Sequence, residues 1–117
     1  MLKALFVFSG DVTLIEPQGT VLIASEGENA MLKCISSDDQ DIEWVLSSLL
    51  GELVIDPQPP LFITSALISG RTESFFTIEG VSLGDEGLYY CQGARDRSQS
   101  NKVRLVVTSG FPDGCKF

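Results

Sequence analysis

"DEGLYYC", residues 85–91, sets Asp85, Gly87, Tyr89 and Cys91 at every second position. Successive side chains of a strand point to opposite faces, so the tyrosine and cysteine share one face and Tyr90 takes the other. An acid and a glycine at the head suit a turn, while a tyrosine and a cysteine suit a face that is buried. The stretch reads as a turn leading into a half-buried strand.

The same beat runs through the rest of the chain. Residues 29–35, "NAMLKCI", place Ala30, Leu32 and Cys34 on one face and Met31, Lys33 and Ile35 on the other. Residues 41–46, "DIEWVL", set Ile42, Trp44 and Leu46 against Glu43 and Val45. "SFFTIEGV" sets Phe76 and Ile78 against Phe75 and Thr77, and "KVRLVVT" sets Val103, Leu105 and Val107 against Lys102, Arg104 and Val106. Period-two alternation of this kind predicts strands, and no segment sustains a helical period. Turn signals separate the runs at Glu26-Gly27-Glu28-Asn29, Ser36-Ser37-Asp38-Asp39, Ser69-Gly70 and Gly84-Asp85. "DPQPP", residues 56–60, cannot donate fully to a ladder and is expected to leave the sheet between two strands. The reading is one all-β domain, an antiparallel sandwich or barrel.

Composition narrows the function classes. A chain of 117 residues, 44% hydrophobic, fits a single domain with a real core. The net charge of −8 repels phosphate backbones and argues against nucleic acid. There is no histidine, which removes the commonest general base and the usual metal ligand. No nucleophile–base pair, metal cluster or phosphate loop stands in its place, so no enzyme, cofactor or metal is expected. The acids at Asp38, Asp39 and Asp41 lack the spacing and glycine of an EF-hand loop. Neither Asn29 nor Asn101 begins an N-x-S/T site. No apolar run approaches the roughly 18 residues of a membrane helix, so this stretch is not expected to insert in a membrane.

The cysteines are Cys34, Cys91 and Cys115, with no C-x-x-C pair. Cys34 and Cys91 each sit on an apolar strand face, and Trp44 lies between them in sequence, also facing inward. Two sheets packed about 10 Å apart can be spanned by a disulfide between them. The alternative is two buried free thiols behaving as small hydrophobes.

The ordered set resembles the immunoglobulin superfamily. It consists of the turn at Glu26-Gly27, Leu32-x-Cys34, Trp44, and Phe76-x-Ile78-x-x-Val81-x-x-x-Asp85-x-Gly87-x-Tyr89-x-Cys91. The resemblance covers Val12 to Thr108 and implies an immunoglobulin-like antiparallel β-sandwich with Greek-key connections. It implies a Cys34–Cys91 bridge between strands B and F, Trp44 on strand C, and Tyr89 as a tyrosine corner bonded a few residues upstream. Asp85 and Gly87 then shape the turn into strand F, and Arg71 is the candidate base to pair with Asp85 across the bottom of the sandwich. The stretch from Trp44 to Cys91 is short for an antibody-like domain with a C″ strand, and no FGxG signature follows Val103. The pattern is most similar to an intermediate-type domain, with a compact variable-like domain as the alternative.

Residues 1–11 carry the apolar run Ala4 to Phe8, too short for a secretory signal, and read as an N-terminal extension: the stub of a trimmed leader, an engineered or mature-chain start, or an edge strand. Residues 12–108 form the domain. Residues 109–117, "SGFPDGCKF", read as a linker toward a further domain or stalk. Within it Cys115 has no obvious partner and is a candidate for an intermolecular or inter-domain disulfide.

Two surfaces are candidates for binding. The first is the loop tip, where the B–C loop supplies Asp38, Asp39 and Asp41 and the F–G region supplies Arg95 and Arg97. These charges either neutralise one another or present a polarised tip to a partner, including a second copy of the chain. The second is the outer G-F-C-C′ face, with Tyr90, Gln92, Glu43 and Val45; tyrosine beside aliphatic residues suits a protein interface. The alternative there is that the chain's own C–C′ segment covers Tyr90. The functional expectation is an extracellular or cell-surface recognition and adhesion module of receptor or secreted immune type, binding a protein partner. The competing expectation is a structural domain of an intracellular, muscle-type filament.

Overall fold

A computed structural model describes residues 12–109, and the expectations for residues 1–11 and for Cys115 lie outside them. The described residues form nine strands: β1 (Val12–Glu16), β2 (Val21–Ser25), β3 (Ala30–Ser36), β4 (Ile42–Ser48), β5 (Gly51–Val54), β6 (Leu61–Ile68), β7 (Arg71–Ile78), β8 (Gly87–Gly93) and β9 (Val103–Thr108). A single 3-10 turn, Leu83–Asp85, leads into β8. Two sheets face each other, one in the order β1-β3-β7-β6 and the other β2-β9-β8-β4-β5. Strands A, A′, B, C, C′, D, E, F and G of the sandwich are thus β1 to β9 in order, with no C″ strand among the described residues. The Asp56–Pro60 stretch does leave the ladder, carrying the chain from β5 across to β6.

Every pairing is antiparallel except one: β2 runs parallel to β9, with Leu22 opposite Leu105. The expected antiparallel sandwich thus carries one parallel edge pairing, at β2, and the sheet holding β1 is antiparallel throughout. Pro17 brings no N–H to extend β1, and the chain turns through Gly19 (φ 118°) to join the opposite sheet. The hairpin β6–β7 closes on Ser69 and Gly70, whose φ values of 51° and 79° form the mirror-image turn that matches strand twist.

The alternating rows meet between the sheets. Leu32, Cys34, Phe76, Ile78, Val103, Leu105 and Val107 are all buried, as are Trp44 and Cys91. The Cys34–Cys91 disulfide bridges β3 and β8 at the centre. Trp44 stands beside it with its ring 5.6 Å from Phe76, which in turn lies 5.8 Å from Tyr89. Burying an indole requires a partner for its N–H, and Nε1 donates to Ser74 Oγ at 2.9 Å on the opposite sheet.

The turn into β8 is held by its own acid. Asp85 Oδ2 accepts from the Ser82 amide at 2.8 Å and from the Ser82 hydroxyl at 3.3 Å, capping the 3-10 turn. Tyr89 Oη then donates to the Asp85 carbonyl at 2.5 Å, four residues upstream. Burial pushes the Tyr89 hydroxyl up to about 12, and the charge of Asp85 adds to the shift.

Two structural expectations need revision. Arg71 does not reach Asp85: β7 begins at Arg71 and runs roughly 23 Å, at about 3.3 Å per residue, before the chain approaches the Asp85 turn. Arg71 is exposed at the other end of the sandwich, next to the B–C loop, where the neighbouring Thr72 amide bonds the Asp38 carbonyl. Gly87 is already the first residue of β8, and what it provides is room rather than a turn conformation. A Cβ there would stand 2.6 Å from Leu46 Cδ1.

Candidate functional site

The outer side of β8 is the first place to look, and it is not open. Tyr90 lies opposite Val45, and Val45 opposite Val54 of β5, so β4 and β5 form a shelf beside the ring. Tyr90 Oη donates to Glu52 Oε1 at 2.6 Å, and Lys102 Nζ sits 5.0 Å above the ring. The outcome is a ring only 2% exposed, with Val45 1% and Gln92 6% exposed. The expectation of an outward, partner-facing Tyr90–Val45–Gln92 surface is corrected accordingly. These residues do point away from the core, but β5 and Lys102 close over Val45 and Tyr90, and Gln92 bonds Glu43 and bridges Gln99. Burial pushes the Tyr90 hydroxyl up to about 12, with the Glu52 hydrogen bond and charge adding to it. The same bond, with a second from Ser47, holds the Glu52 carboxyl below its ordinary value.

The loop tip gathers the remaining candidates. Arg95 contacts Asp39 at 2.8 Å and Asp38 at 3.7 Å, and Arg97 contacts Glu43 at 3.3 Å. Glu43 Oε1 also accepts from Gln92 Nε2 at 2.8 Å, so a polar chain runs from the F–G turn down the upper sheet. The hydrogen bond from Arg95 lowers the Asp39 carboxyl, and Asp39 raises the guanidinium in return. Asp38 faces partly inward, where its Oδ1 accepts from Ser36 Oγ at 2.7 Å and the Gln40 amide at 3.1 Å. Asp41 has an exposed side chain, and its carbonyl accepts from the Ala94 amide at 2.8 Å. The opposite charges of the two loops thus largely satisfy each other.

Beneath these pairs lies a residue that the sequence reading passed over. Gln40 is 2% exposed in the acidic B–C loop. Its Oε1 accepts from the backbone amides of Arg95 and Asp96 at 3.1 and 3.2 Å, and its Nε2 donates to Asp96 Oδ2 at 3.1 Å. One side-chain amide therefore ties the B–C and F–G loops together across the top of the sandwich, satisfying donors that burial would otherwise strand. Asp96 also accepts from the Ser98 amide and hydroxyl, fixing the turn. Gly93 leaves the space for this lock, since a methyl group there would overlap the Gln40 amide. The only sequence signal for it was an uncharged amide amid aspartates. Arg97 completes the turn at φ 63°, a left-handed conformation costly for any residue with a Cβ.

The most exposed apolar residues lie elsewhere. Leu49 and Leu50 at the β4–β5 turn are fully solvent-facing, Ile23 and Leu67 are next, and Leu53 and Val54 on β5 are also exposed. Among the described residues no group of acids, cysteines or histidines is arranged to hold a metal ion, and no helix is long and apolar enough to cross a membrane.

No protein-family model matches the sequence, and no curated protein matches it. The fold does have matches. A solved structure described as that of the BTLA ectodomain superposes with a TM-score of 0.67 at 17% identity, covering 83% of this chain and 98% of that one. A structure described as an IG27 protein domain gives a TM-score of 0.61 at 19% identity, covering 84% and 98%. The chain has an immunoglobulin-like fold. Because 1482 solved chains match, the fold alone selects no partner.

Proposed function

We propose that this domain is an extracellular recognition module that binds a protein partner through its Gln40-locked loop tip and the adjoining upper G-F-C sheet, with Arg95, Arg97, Asp39, Asp41 and Glu43 as contact residues. The observation that carries the reading is the buried hydrogen bonding that joins the two loops of that tip. Two loops far apart in sequence are tied to each other by a buried side-chain amide, with the Ala94–Asp41 backbone bond and the Arg95–Asp39 pair beside it. A preorganised charged surface loses little entropy on binding and is suited to steering a partner by charge. The left-handed backbone at Arg97 supports it further, because strain of this sort gathers where a side chain has to be presented. The disulfide favours an oxidising compartment over an intracellular filament, and the ectodomain among the similar structures agrees with that placement.

The test has two parts. In the native, unreduced protein Cys34 and Cys91 resist alkylation; free thiols at both would favour the filament reading. Against a panel of secreted and cell-surface proteins, one partner associates more slowly with an Arg95→Glu/Arg97→Glu variant, with the difference shrinking at high salt. An unchanged association rate would remove the tip from the interface. Self-association is one version of this reading, and it fails if the mass in solution stays that of a monomer at low and high salt alike.

A further inference from the structure

β5 and β6 belong to different sheets, and between them the side of the sandwich stands open. The opening is a cleft with a volume of about 280 Å³, walled by Leu46, Leu53, Leu61 and Phe76 and carrying the acids Asp56 and Asp85. Tyr89 also lines it, and no lysine or arginine does. Neither carboxylate forms an ion pair among the described residues. Among the described residues the Asp85 carboxylate accepts only from Ser82, and that of Asp56 from Gln58 Nε2 at 3.5 Å, although a carboxylate has about four acceptor positions. The base expected to sit against Asp85 is Arg71, which the fold sends to the opposite end.

An apolar channel with two such acids complements one kind of side chain: a long aliphatic stem that ends in a cation. We propose that this cleft receives a lysine or arginine side chain from a basic protein partner, its methylenes against Leu46, Leu53 and Leu61 and its charged head at Asp56 and Asp85. The net charge of −8 repels a second copy of the chain and favours a basic partner. The exposed Leu49 and Leu50 on the adjacent hairpin widen the apolar surface such a partner meets. The cleft lies apart from the loop tip, so it stands or falls independently of the tip's role.

Amide NMR spectra of the chain titrated with pentylguanidinium test this directly, with pentanol as the uncharged comparison. The expected result is saturable shifts at Leu53, Leu61, Gly84 and Tyr89 with the cation and markedly weaker ones with the alcohol. Asp85→Asn retains an oxygen for the Ser82 cap, and Asp56→Asn lies on an exposed connection, so neither depends on refolding. Each should weaken the cation by about threefold, as loss of one partly exposed charge contact does. No shifts, equal shifts with pentanol, or indifference to both substitutions would each overturn the proposal. So would shifts at the same residues on raising the protein concentration without a probe, which would make a second copy the occupant.

Discussion

Tyr89 and Tyr90 are adjacent on β8, face opposite sides of the sheet, and are both buried, for different reasons. Tyr89 is enclosed by the sandwich itself, with Phe76 against its ring and the Asp85 carbonyl accepting a hydrogen bond from its hydroxyl. Tyr90 is enclosed by additions to the sandwich: Glu52 from the edge strand β5 and Lys102 from the approach to β9. The first burial follows from the side of the strand on which a residue falls. The second follows from how a neighbouring strand happens to be dressed. Alternation therefore tells which way a side chain points, and only the tertiary partners tell whether water is there to meet it.

The inner side of β8 should be the more costly to disturb. Replacing both Cys34 and Cys91 with alanine removes a crosslink spanning 57 positions, worth about 4 kcal/mol in the chain-entropy model. That is a large part of a typical domain's stability, and denaturant unfolding would show the midpoint falling sharply or the fold lost. A small loss there would mean the outer additions carry more of the stability than the comparison allows.

A smaller effect is expected at the end of the same strand. Gly93→Ala pushes a methyl group into the Gln40 amide and should destabilise by about 1–3 kcal/mol, as overpacking does. Faster amide exchange at Arg95 and Asp96, whose N–H groups Gln40 holds, would place the damage in the tip rather than in the core.

The two tyrosines can then be compared by a single atom. Tyr89→Phe leaves the Asp85 carbonyl without its donor and should lower stability by about 1 kcal/mol. Tyr90→Phe releases Glu52, an exposed carboxylate that water can serve, and should lower it by less. The reverse order would make the outer clasp the stronger anchor.

Much of this was legible in the sequence. The beat of two placed Leu32, Cys34, Trp44, Phe76, Tyr89 and Cys91 inward, because a one-residue slip would expose the whole row. The features that escaped are those set by contacts between distant segments. Gln40 meets Asp96 across 56 positions, and Tyr90 meets Glu52 across 38, with nothing local to announce either. The Arg71–Asp85 pairing failed for a related reason: position along the chain does not say at which end of the sandwich a strand starts. Gly87 was read as turn chemistry, whereas its cause is the nearness of Leu46 on β4.

That Tyr90 belongs to the structure and not to an open binding face is the point on which the placing of the recognition surface turns. The chain has two tyrosines, so absorbance at alkaline pH follows these two residues alone. Both hydroxyls are held protonated by burial up to about 12, against an ordinary value of 10.0. Between those values the unfolded chain gives up protons that the folded one keeps, so the stability they contribute is intact below pH 10 and falls as pH rises toward 12. Native protein is expected to show no tyrosinate signal near pH 10, with both residues ionising together near 12 as the fold is lost. One tyrosine ionising near pH 10 in the folded protein, and vanishing from the titration in Tyr90→Phe, would contradict it and return the outer sheet face to the list of binding surfaces.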